Sequence, residues 1–274
     1  MTAAANTFDN NRQSDTVAAV TEILKHLSDT KSHPYCEKLT DKMDFEQGTY
    51  TGDLVDGAPH GSGQMVYLQN DPLDREVYEG DWKSGHQSGH GSMKFRSGES
   101  YIGQFEDNVP HGAGQFLYPT GDVEDVVMEA GVRHGQSRYH CDEDKTVEEV
   151  MFWEGQPRGP SKLLYPDGSY EERSFNDGAK NGAAKMIGNN GDVFEFQYKD
   201  NVIDGPSKYT WANGQYEEAV YVGGVKHGPG LEVSSTGDTE TRTWDQGQLQ
   251  GPAVVLGKNG DKLEFSYTNV SEMM

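Results

Sequence analysis

The segment YIGQFEDNVPHGAGQFLYPTGD, residues 101–122, decides the fold of this chain. Tyr101, Gly103 and Phe105 alternate with other residues, and this period of two predicts a strand with one packed face. Residues 108–114 are rich in turn-forming types and are interpreted as a turn. Residues 115–118 then form a second strand, so the segment predicts one β-hairpin.

The hairpin is expected to recur, because glycines return at an almost constant interval. After Gly112 the interval is 23 or 24 residues, while Gly91 and Gly61 precede it at intervals of 21 and 30. The later members of the series are Gly135, Gly159, Gly182, Gly205, Gly228 and Gly251. Such a period indicates about nine copies of one small unit.

A second series marks the reversal between neighbouring units. It consists of Asp167-Gly168, Asn190-Gly191, Asn213-Gly214, Thr236-Gly237 and Asn259-Gly260. Asn-Gly and Asp-Gly favour type I′ turns, which join adjacent antiparallel strands, so each strand is expected to pair with the next. The predicted fold is all-β: an elongated, curved, single-layer antiparallel sheet of about nine hairpins, or some 18 strands, over residues 47–268.

Residues 1–46 lack the repeat and are predicted to form a short helix and a linker, and residues 269–274 a tail. Ser14 or Asp15 can cap a helix. Its apolar stripe would be Val17, Val20, Ile23, Leu24 and Leu27. A cover for the end of the array is favoured over a docking helix for a partner, because the ends of repeat arrays need covering.

The composition restricts the classes of partner. The 23 Lys and Arg residues against 45 Asp and Glu give a formal net charge of -22, which repels nucleic acid and anionic lipid. An acidic surface fits a basic protein partner, and it also fits simple solubility. Only 33% of the residues are hydrophobic, but 10% are aromatic, which is enough for a thin periodic core.

Two cysteines and the lack of a signal-like or membrane-spanning apolar segment predict a reducing compartment. We expect the cytoplasm, with the nucleus as an alternative. No catalytic motif or nucleotide-binding loop stands out, so neither an enzyme nor a cofactor is predicted.

Several repeats carry a recognisable motif. Tyr50-Thr-Gly-Asp-Leu, Tyr78-Glu-Gly-Asp-Trp82 and Tyr101-Ile-Gly-Gln-Phe105, each followed by His-Gly-x-Gly or a near equivalent, resemble MORN repeats (membrane occupation and recognition nexus). Later copies have Gly-Pro instead, as at Gly159-Pro160 and Gly205-Pro206. These are similar to the repeats that precede the catalytic domain of the SET-type lysine methyltransferase, although we expect no SET domain in these residues.

The resemblance implies a non-enzymatic scaffold or adaptor in a ciliary, cytoskeletal or membrane-associated assembly, holding a basic or helical protein partner along the concave face of the sheet. Two alternatives are a peripheral phospholipid-binding module and a catalytically incomplete relative of the SET methyltransferase. The strand edges at the ends of the array leave a homodimer open as a further alternative.

Histidines and aromatics supply the candidate sites. His60, His90, His111, His134 and His227 share one phase of the repeat, but equivalent residues in adjacent hairpins are two strand spacings, or about 10 Å, apart, too far to share a metal ion. We therefore expect hydrogen bonds that stabilise turns, and no metal site. Packing between repeats is the favoured role of each ring, but a remaining aromatic stripe is a candidate partner-binding site, made of Tyr78, Trp82, Tyr101, Phe105 and Tyr118.

Overall fold

The computed structural model describes residues 42–268, and every regular element in that span is a β-strand. The prediction of an all-β fold of consecutive antiparallel hairpins is confirmed. The helix predicted over residues 14–27 lies outside the described residues. Strand β1 lies within the segment that was assigned to the N-terminal helix and linker.

The described residues divide into two compact units within strand β10 (Val147–Trp153). The first runs to Glu143 and includes Phe152–Gly155, and the second comprises Asp144–Met151 and the residues from Gln156 onward. The other strands of the first unit are β1 (Lys42–Phe45), β2 (Gly48–Val55), β3 (Ala58–Tyr67), β4 (Arg75–Lys83), β5 (His86–Phe95), β6 (Ser100–Glu106), β7 (Val109–Leu117), β8 (Val123–Glu129) and β9 (Val132–His140).

The second unit contains fourteen further strands. They are β11 (Gln156–Leu164), β12 (Tyr170–Asn176), β13 (Ala179–Lys180), β14 (Gly182–Ile187), β15 (Val193–Lys199), β16 (Val202–Ile203), β17 (Gly205–Thr210), β18 (Tyr216–Val222), β19 (Val225–Lys226), β20 (Gly228–Val233), β21 (Thr239–Asp245), β22 (Gln248–Leu249), β23 (Gly251–Leu256) and β24 (Lys262–Tyr267). In each unit, successive strands pair antiparallel. The exceptions are the short strands such as β13, which shares the partner β12 with the strand that follows it, β14.

Four repeats of the second unit have their second strand split by one residue, as at Asn181 between β13 and β14. The N–H of Asn181 donates to the carbonyl of Ser174 at 3.0 Å. In the first unit the equivalent irregularity is a bulge inside a continuous pair, for example between Gly103 and Phe105 of β6. The strand count of 24 exceeds the predicted 18 mainly because of these splits.

The type I′ turns lie at the reversal within the hairpin and not at the Asp-Gly and Asn-Gly series where we predicted them. In the reversal within the hairpin both central residues have positive φ, as at Asp107 (47°) and Asn108 (71°), which is the requirement of type I′. At the Asp-Gly and Asn-Gly series only the glycine has positive φ, 88° at Gly168. There the N–H of Gly168 donates to the carbonyl of Tyr165 at 3.0 Å, which fits a type I turn followed by a left-handed glycine.

The His-Gly segment is part of a strand and not of a turn, which corrects the prediction for residues 108–114. Gly112 lies in β7 opposite Met128, and its counterpart one repeat earlier is Gly89, which lies opposite Phe105. The series therefore passes through Gly89 and not Gly91, and His90 falls out of phase. For His111, Nδ1 accepts a hydrogen bond of 3.4 Å from the N–H of Ala130, in the turn of the following repeat.

The core of the first unit is a row of rings over paired glycines. Gly80 of β4 lies directly opposite Gly91 of β5, and the ring of Tyr78 covers both. The hydroxyl of Tyr78 donates to the carbonyl of Asp81 at 3.0 Å, and Tyr50 and Tyr101 repeat the arrangement. Burial, with the nearby charge of Asp53, raises the pKa of Tyr50 to about 12.

From the fourth repeat onward, in both units, a glutamate takes the place of the ring at this position in every repeat but one. The residues in phase with Tyr78 from the fourth repeat onward are Glu124, Glu148, Glu171, Phe194, Glu217 and Glu240. Arg173, whose side chain is 6% exposed, bridges Glu148 at 2.6 Å and Glu171 at 3.3 Å. The hydroxyl of Tyr198 donates to Glu171 at 3.0 Å, so this buried charge is paired and hydrogen-bonded.

Candidate partner-binding surface

Four of the five aromatics proposed for partner binding are core residues. Tyr78 and Tyr101 are 0% exposed, Trp82 is 3% exposed and Phe105 is 4% exposed. Phe105 lies edge-to-face between the two tyrosines, with ring centroids 4.9 Å and 5.3 Å apart. These side chains cannot touch a partner in this structure, because they are already packed against one another. The surface stripe that we assigned to them therefore needs correction.

Tyr118, the fifth residue, is half-buried and belongs to a polar cluster. Its hydroxyl donates to Glu124 at 2.7 Å and accepts a hydrogen bond from Arg133 at 2.8 Å. Burial would raise the pKa of Glu124, but hydrogen bonds from Arg133 and Tyr118 outweigh it and hold the pKa below its usual value. Ser137 donates a further hydrogen bond to Glu124 at 2.8 Å. The carboxylate is satisfied internally, so the cluster is a structural element.

Exposed apolar side chains of the first unit line the opposite face, beside the type I′ turns. Val109 is 37% exposed, Val132 is 47% exposed and Trp153 is 52% exposed. Trp153 follows Phe152, which holds the ring position of its repeat, and alternation along the strand turns the indole to the outer face. We call Val109, Val132 and Trp153 the apolar rim.

The two valines of the rim pack against the turn of the next repeat. The side chain of Val109 lies over the turn glycine Gly131 of the next repeat, and Val132 lies over Gly155 in the same way. The ring of Trp153 lies 4.5 Å from that of His134. The apolar rim is thus a supported surface and not a set of isolated side chains.

Carboxylates alternate with the apolar rim along the strand ends. Glu106 is directly opposite Val109, and Glu129 is directly opposite Val132. Their side chains are 67% and 61% exposed. Each lies near the Nδ1 atom of a histidine, His111 at 3.5 Å and His134 at 3.3 Å. An apolar stripe between exposed carboxylates suits an amphipathic, basic partner.

Sequence reasoning missed the apolar rim because it followed the aromatic positions. The signal was present: a valine follows the turn residues Asp107-Asn108 and Ala130-Gly131 in two successive repeats. Without the paired register, these valines could not be assigned to the face opposite the rings.

Two features are absent from the described span, residues 42–268. No helix there has the length and apolar character needed to cross a membrane. Within the same residues, no three His, Cys, Asp or Glu side chains are grouped so that they could hold a metal ion.

Both units belong to the class of repeat proteins built from consecutive antiparallel β-hairpins. The family model described as MORN repeat matches residues 50–68, 78–100, 101–123, 197–216 and 218–239. The chain is a MORN-repeat protein. Hairpins of the same phase also occupy residues 124–196, between the matched segments. MORN repeats occur in scaffold and membrane-associated proteins.

Similar proteins match only part of this chain. Alsin from Rattus norvegicus is 26% identical over 96 residues, which cover 33% of this chain and 6% of that protein. Alsin from Mus musculus is 30% identical over 93 residues, covering 26% and 6% respectively. MORN repeat-containing protein 3 from Xenopus laevis is 29% identical over 75 residues, covering 25% of this chain and 30% of that protein. The matches span less than a third of each relative.

Solved structures give only a distant likeness. The SAS-4 (dCPAP) TCP domain of Drosophila melanogaster, in complex with a proline-rich motif of Ana2, has a TM-score of 0.34 at 15% identity and covers 65% of this chain and 84% of that chain. The E1021V mutant of the TCP10 domain of Danio rerio CPAP has a TM-score of 0.27 at 16% identity, covering 80% and 100%. We draw no functional conclusion from likenesses this weak.

Proposed function

We propose that the chain is a non-enzymatic scaffold whose first unit holds a protein partner at the apolar rim. The observation that carries the proposal is the exposure of Val109, Val132 and Trp153 beside the type I′ turns, in a unit whose aromatic rings at Tyr78, Trp82, Tyr101 and Phe105 are buried. A large aromatic side chain flanked by smaller apolar ones is typical of an interface hot spot. The resemblance to MORN proteins adds a ciliary, cytoskeletal or membrane-associated setting to the proposal.

The proposal is tested by affinity purification of the tagged full-length chain, comparing the wild type with the double variant Val132→Ser, Trp153→Ser. Val66→Ser is the matched control, because Val66 is 45% exposed but lies away from the type I′ turns. We expect the wild type and the control to capture partner proteins that the double variant does not capture. An unchanged set of captured proteins would contradict it.

Liposome sedimentation separates this proposal from the phospholipid alternative. The formal charge of -22 opposes binding to anionic lipid. Strong, salt-sensitive binding to anionic vesicles that Trp153→Ser abolishes would make the apolar rim a membrane contact and refute the scaffold proposal.

A further inference from the structure

We propose that Asn213 is a site of covalent modification, at which the side-chain amide is converted to a carboxylate by spontaneous deamidation. Asparagine followed by glycine favours this reaction, because glycine has no side chain to shield the peptide nitrogen that attacks the amide. The chain contains four such pairs, which begin at Asn181, Asn190, Asn213 and Asn259. The structure separates the four by how firmly each side chain is held. The site is independent of the apolar rim.

The reaction needs only the chain itself and water. The main-chain nitrogen of Gly214 loses its proton and forms a bond to Cγ of Asn213, and the bond from Cγ to Nδ2 breaks to release ammonia. Water then opens the five-membered succinimide ring by breaking either of its two bonds to the ring nitrogen. One cleavage gives aspartate and the other gives isoaspartate. The asparagine side chain must therefore leave its hydrogen bonds and turn towards the glycine nitrogen.

Three of the four pairs lie in turns of the same backbone geometry. They are Asn190-Gly191, Asn213-Gly214 and Asn259-Gly260, and their glycines have φ angles of 87°, 86° and 89°. In each turn the asparagine Oδ1 accepts a hydrogen bond from the N–H two residues later, at 3.0, 3.0 and 3.1 Å. The backbone therefore favours none of the three sites over the others.

In two of these turns a carboxylate holds the side-chain amide. Asn190 donates from Nδ2 to Asp192 at 2.9 Å, and Asn259 donates from Nδ2 to Asp261 at 2.7 Å. A hydrogen bond to a carboxylate is stronger than one between neutral groups. The negative charge also opposes loss of the proton from the neighbouring peptide nitrogen. Both effects slow the attack at Asn190 and Asn259.

Asn213 lacks this restraint. Gln215 stands in the place of the carboxylate, and its Nε2 donates to Glu232 at 2.7 Å instead. Among the described residues, the only hydrogen bond to the Asn213 side chain is the one that Oδ1 accepts from the N–H of Gln215. The side chain is exposed, so water reaches the ring that forms. Asn213 is therefore the least restrained of the three.

The fourth pair is held by a neighbouring repeat. Oδ1 of Asn181 accepts a hydrogen bond from the N–H of Asp200 at 3.0 Å, and its Nδ2 donates to the carboxylate of Asp200 at 3.3 Å. Since both ends of the amide are engaged, we expect Asn181 to react more slowly than Asn213.

The turn accepts the aspartate product. Two repeats earlier the same position is Asp167, whose Oδ1 accepts a hydrogen bond from the N–H of Ser169 at 2.9 Å. Aspartate at position 213 retains the corresponding acceptor for the N–H of Gln215. Isoaspartate instead adds a methylene group to the main chain between β17 and β18, and so disturbs the register of this pair.

Deamidation rates measured on the full-length chain test the proposal. The chain is incubated in a mildly alkaline buffer, digested with trypsin and analysed by mass spectrometry. Cleavage after lysine and arginine places the four asparagines in separate peptides, residues 181–185, 186–199, 209–226 and 259–262. A parallel incubation in urea gives the rate of each site without the fold. The ratio of the folded to the unfolded rate then isolates the effect of the structure.

We expect the ratio at Asn213 to exceed the ratios at Asn190 and Asn259 by about fivefold, the effect of one additional hydrogen bond. Gln215→Asp recreates the Asn-Gly-Asp sequence of the slower sites and should lower the rate at Asn213 by a similar factor. Asp261→Gln is the reverse change and should raise the rate at Asn259. In both variants Asn190 is the internal control and should keep its rate.

Equal ratios at the three sites would overturn the proposal, and so would a rate at Asn213 that Gln215→Asp leaves unchanged. Because Gln215→Asp also removes the contact with Glu232, thermal unfolding checks that this variant keeps its fold. Asp261→Gln tests the same restraint independently, and an unchanged rate at Asn259 would count against it.

Discussion

Replacing Gly91 by alanine should destabilise the first unit by displacing the buried ring of Tyr78. A Cβ atom at Gly91 would lie 2.5 Å from Cε2 and from the hydroxyl oxygen of Tyr78, and 2.6 Å from Cζ. The φ angle of Gly91 lies outside the left-handed region, so the backbone itself accepts alanine. The effect of the substitution is therefore almost entirely steric.

Tyr78 cannot move without losing contacts. Its hydroxyl would leave the carbonyl of Asp81, a loss of about 1 kcal/mol, and its edge-to-face contacts with Trp82 and Phe105 would weaken by about 0.5–1.5 kcal/mol each. If the ring stays, overpacking costs about 1–3 kcal/mol. Because these are alternative ways of relieving one clash, we expect a loss of about 3 kcal/mol in the free energy of unfolding.

Urea unfolding measures the loss, and hydrogen exchange in β4 and β5 locates it. Gly182→Ala is the control, because no atom lies within 4 Å of its added Cβ and only its positive φ of 86° costs stability, about 1 kcal/mol. In a chain that already carries Tyr78→Leu, Gly91→Ala should lower the free energy of unfolding much less than it does in the wild type. A loss below about 1 kcal/mol for Gly91→Ala, or additive costs in the double variant, would refute the reasoning.

Three further predictions concern single side chains. Asn108→Ala removes the acceptor of the 3.0 Å hydrogen bond from the N–H of Gln87 and places alanine at a φ of 71°. We expect it to lower the free energy of unfolding, measured in urea, by about 2 kcal/mol. Asn108→Gly avoids the backbone strain and should cost about half as much. Hydrogen bonds lower the pKa of Asp122 from 3.8 to about 2, and the largest contribution comes from the Tyr139 hydroxyl. The ionised Asp122 therefore contributes fully to the free energy of unfolding above about pH 4, and this contribution is lost as the pH falls towards 2. The melting temperature of Asp122→Asn should accordingly fall less steeply than that of the wild type over this range, and parallel pH profiles would contradict the assignment. Arg173→Ala leaves the buried Glu171 and the half-buried Glu148 without their cationic partner and should cost about 3–5 kcal/mol in the free energy of unfolding. A melting temperature equal to that of the wild type would count against this charge pairing.

The turns show why the local sequence can predict the position of a turn correctly and its type wrongly. Asp167-Gly168 was assigned to type I′ because both residue types accept positive φ. In the structure Gly168 alone adopts it, and Asp167 instead accepts a hydrogen bond from the N–H of Ser169 at 2.9 Å. The type I′ turns occur where the pairing of the flanking strands leaves two residues, as at Ala130-Gly131, even when the first is not a typical turn residue.

The candidate site was predicted on the wrong face for a similar reason. Aromatic residues such as Trp82 suit both a thin core and an interface, and sequence alone does not separate the two roles. The structure separates them through the cross-strand glycine pairs, which let the tyrosine rings lie against the backbone. Trp153, one position later in its repeat than Trp82, falls on the opposite face and stays exposed.

The sequence by itself determined the repeat, the hairpin and the order of strand pairing, because a period near 23 residues and two turn signals per unit leave few other arrangements. Tertiary structure decided which residues are covered. Register, bulges and ring packing bury Tyr78 and Tyr101 and leave Val132 and Trp153 in solvent. The physical reason is that burial depends on the facing residue of the neighbouring strand, and a shift of one residue exchanges the two faces of the sheet.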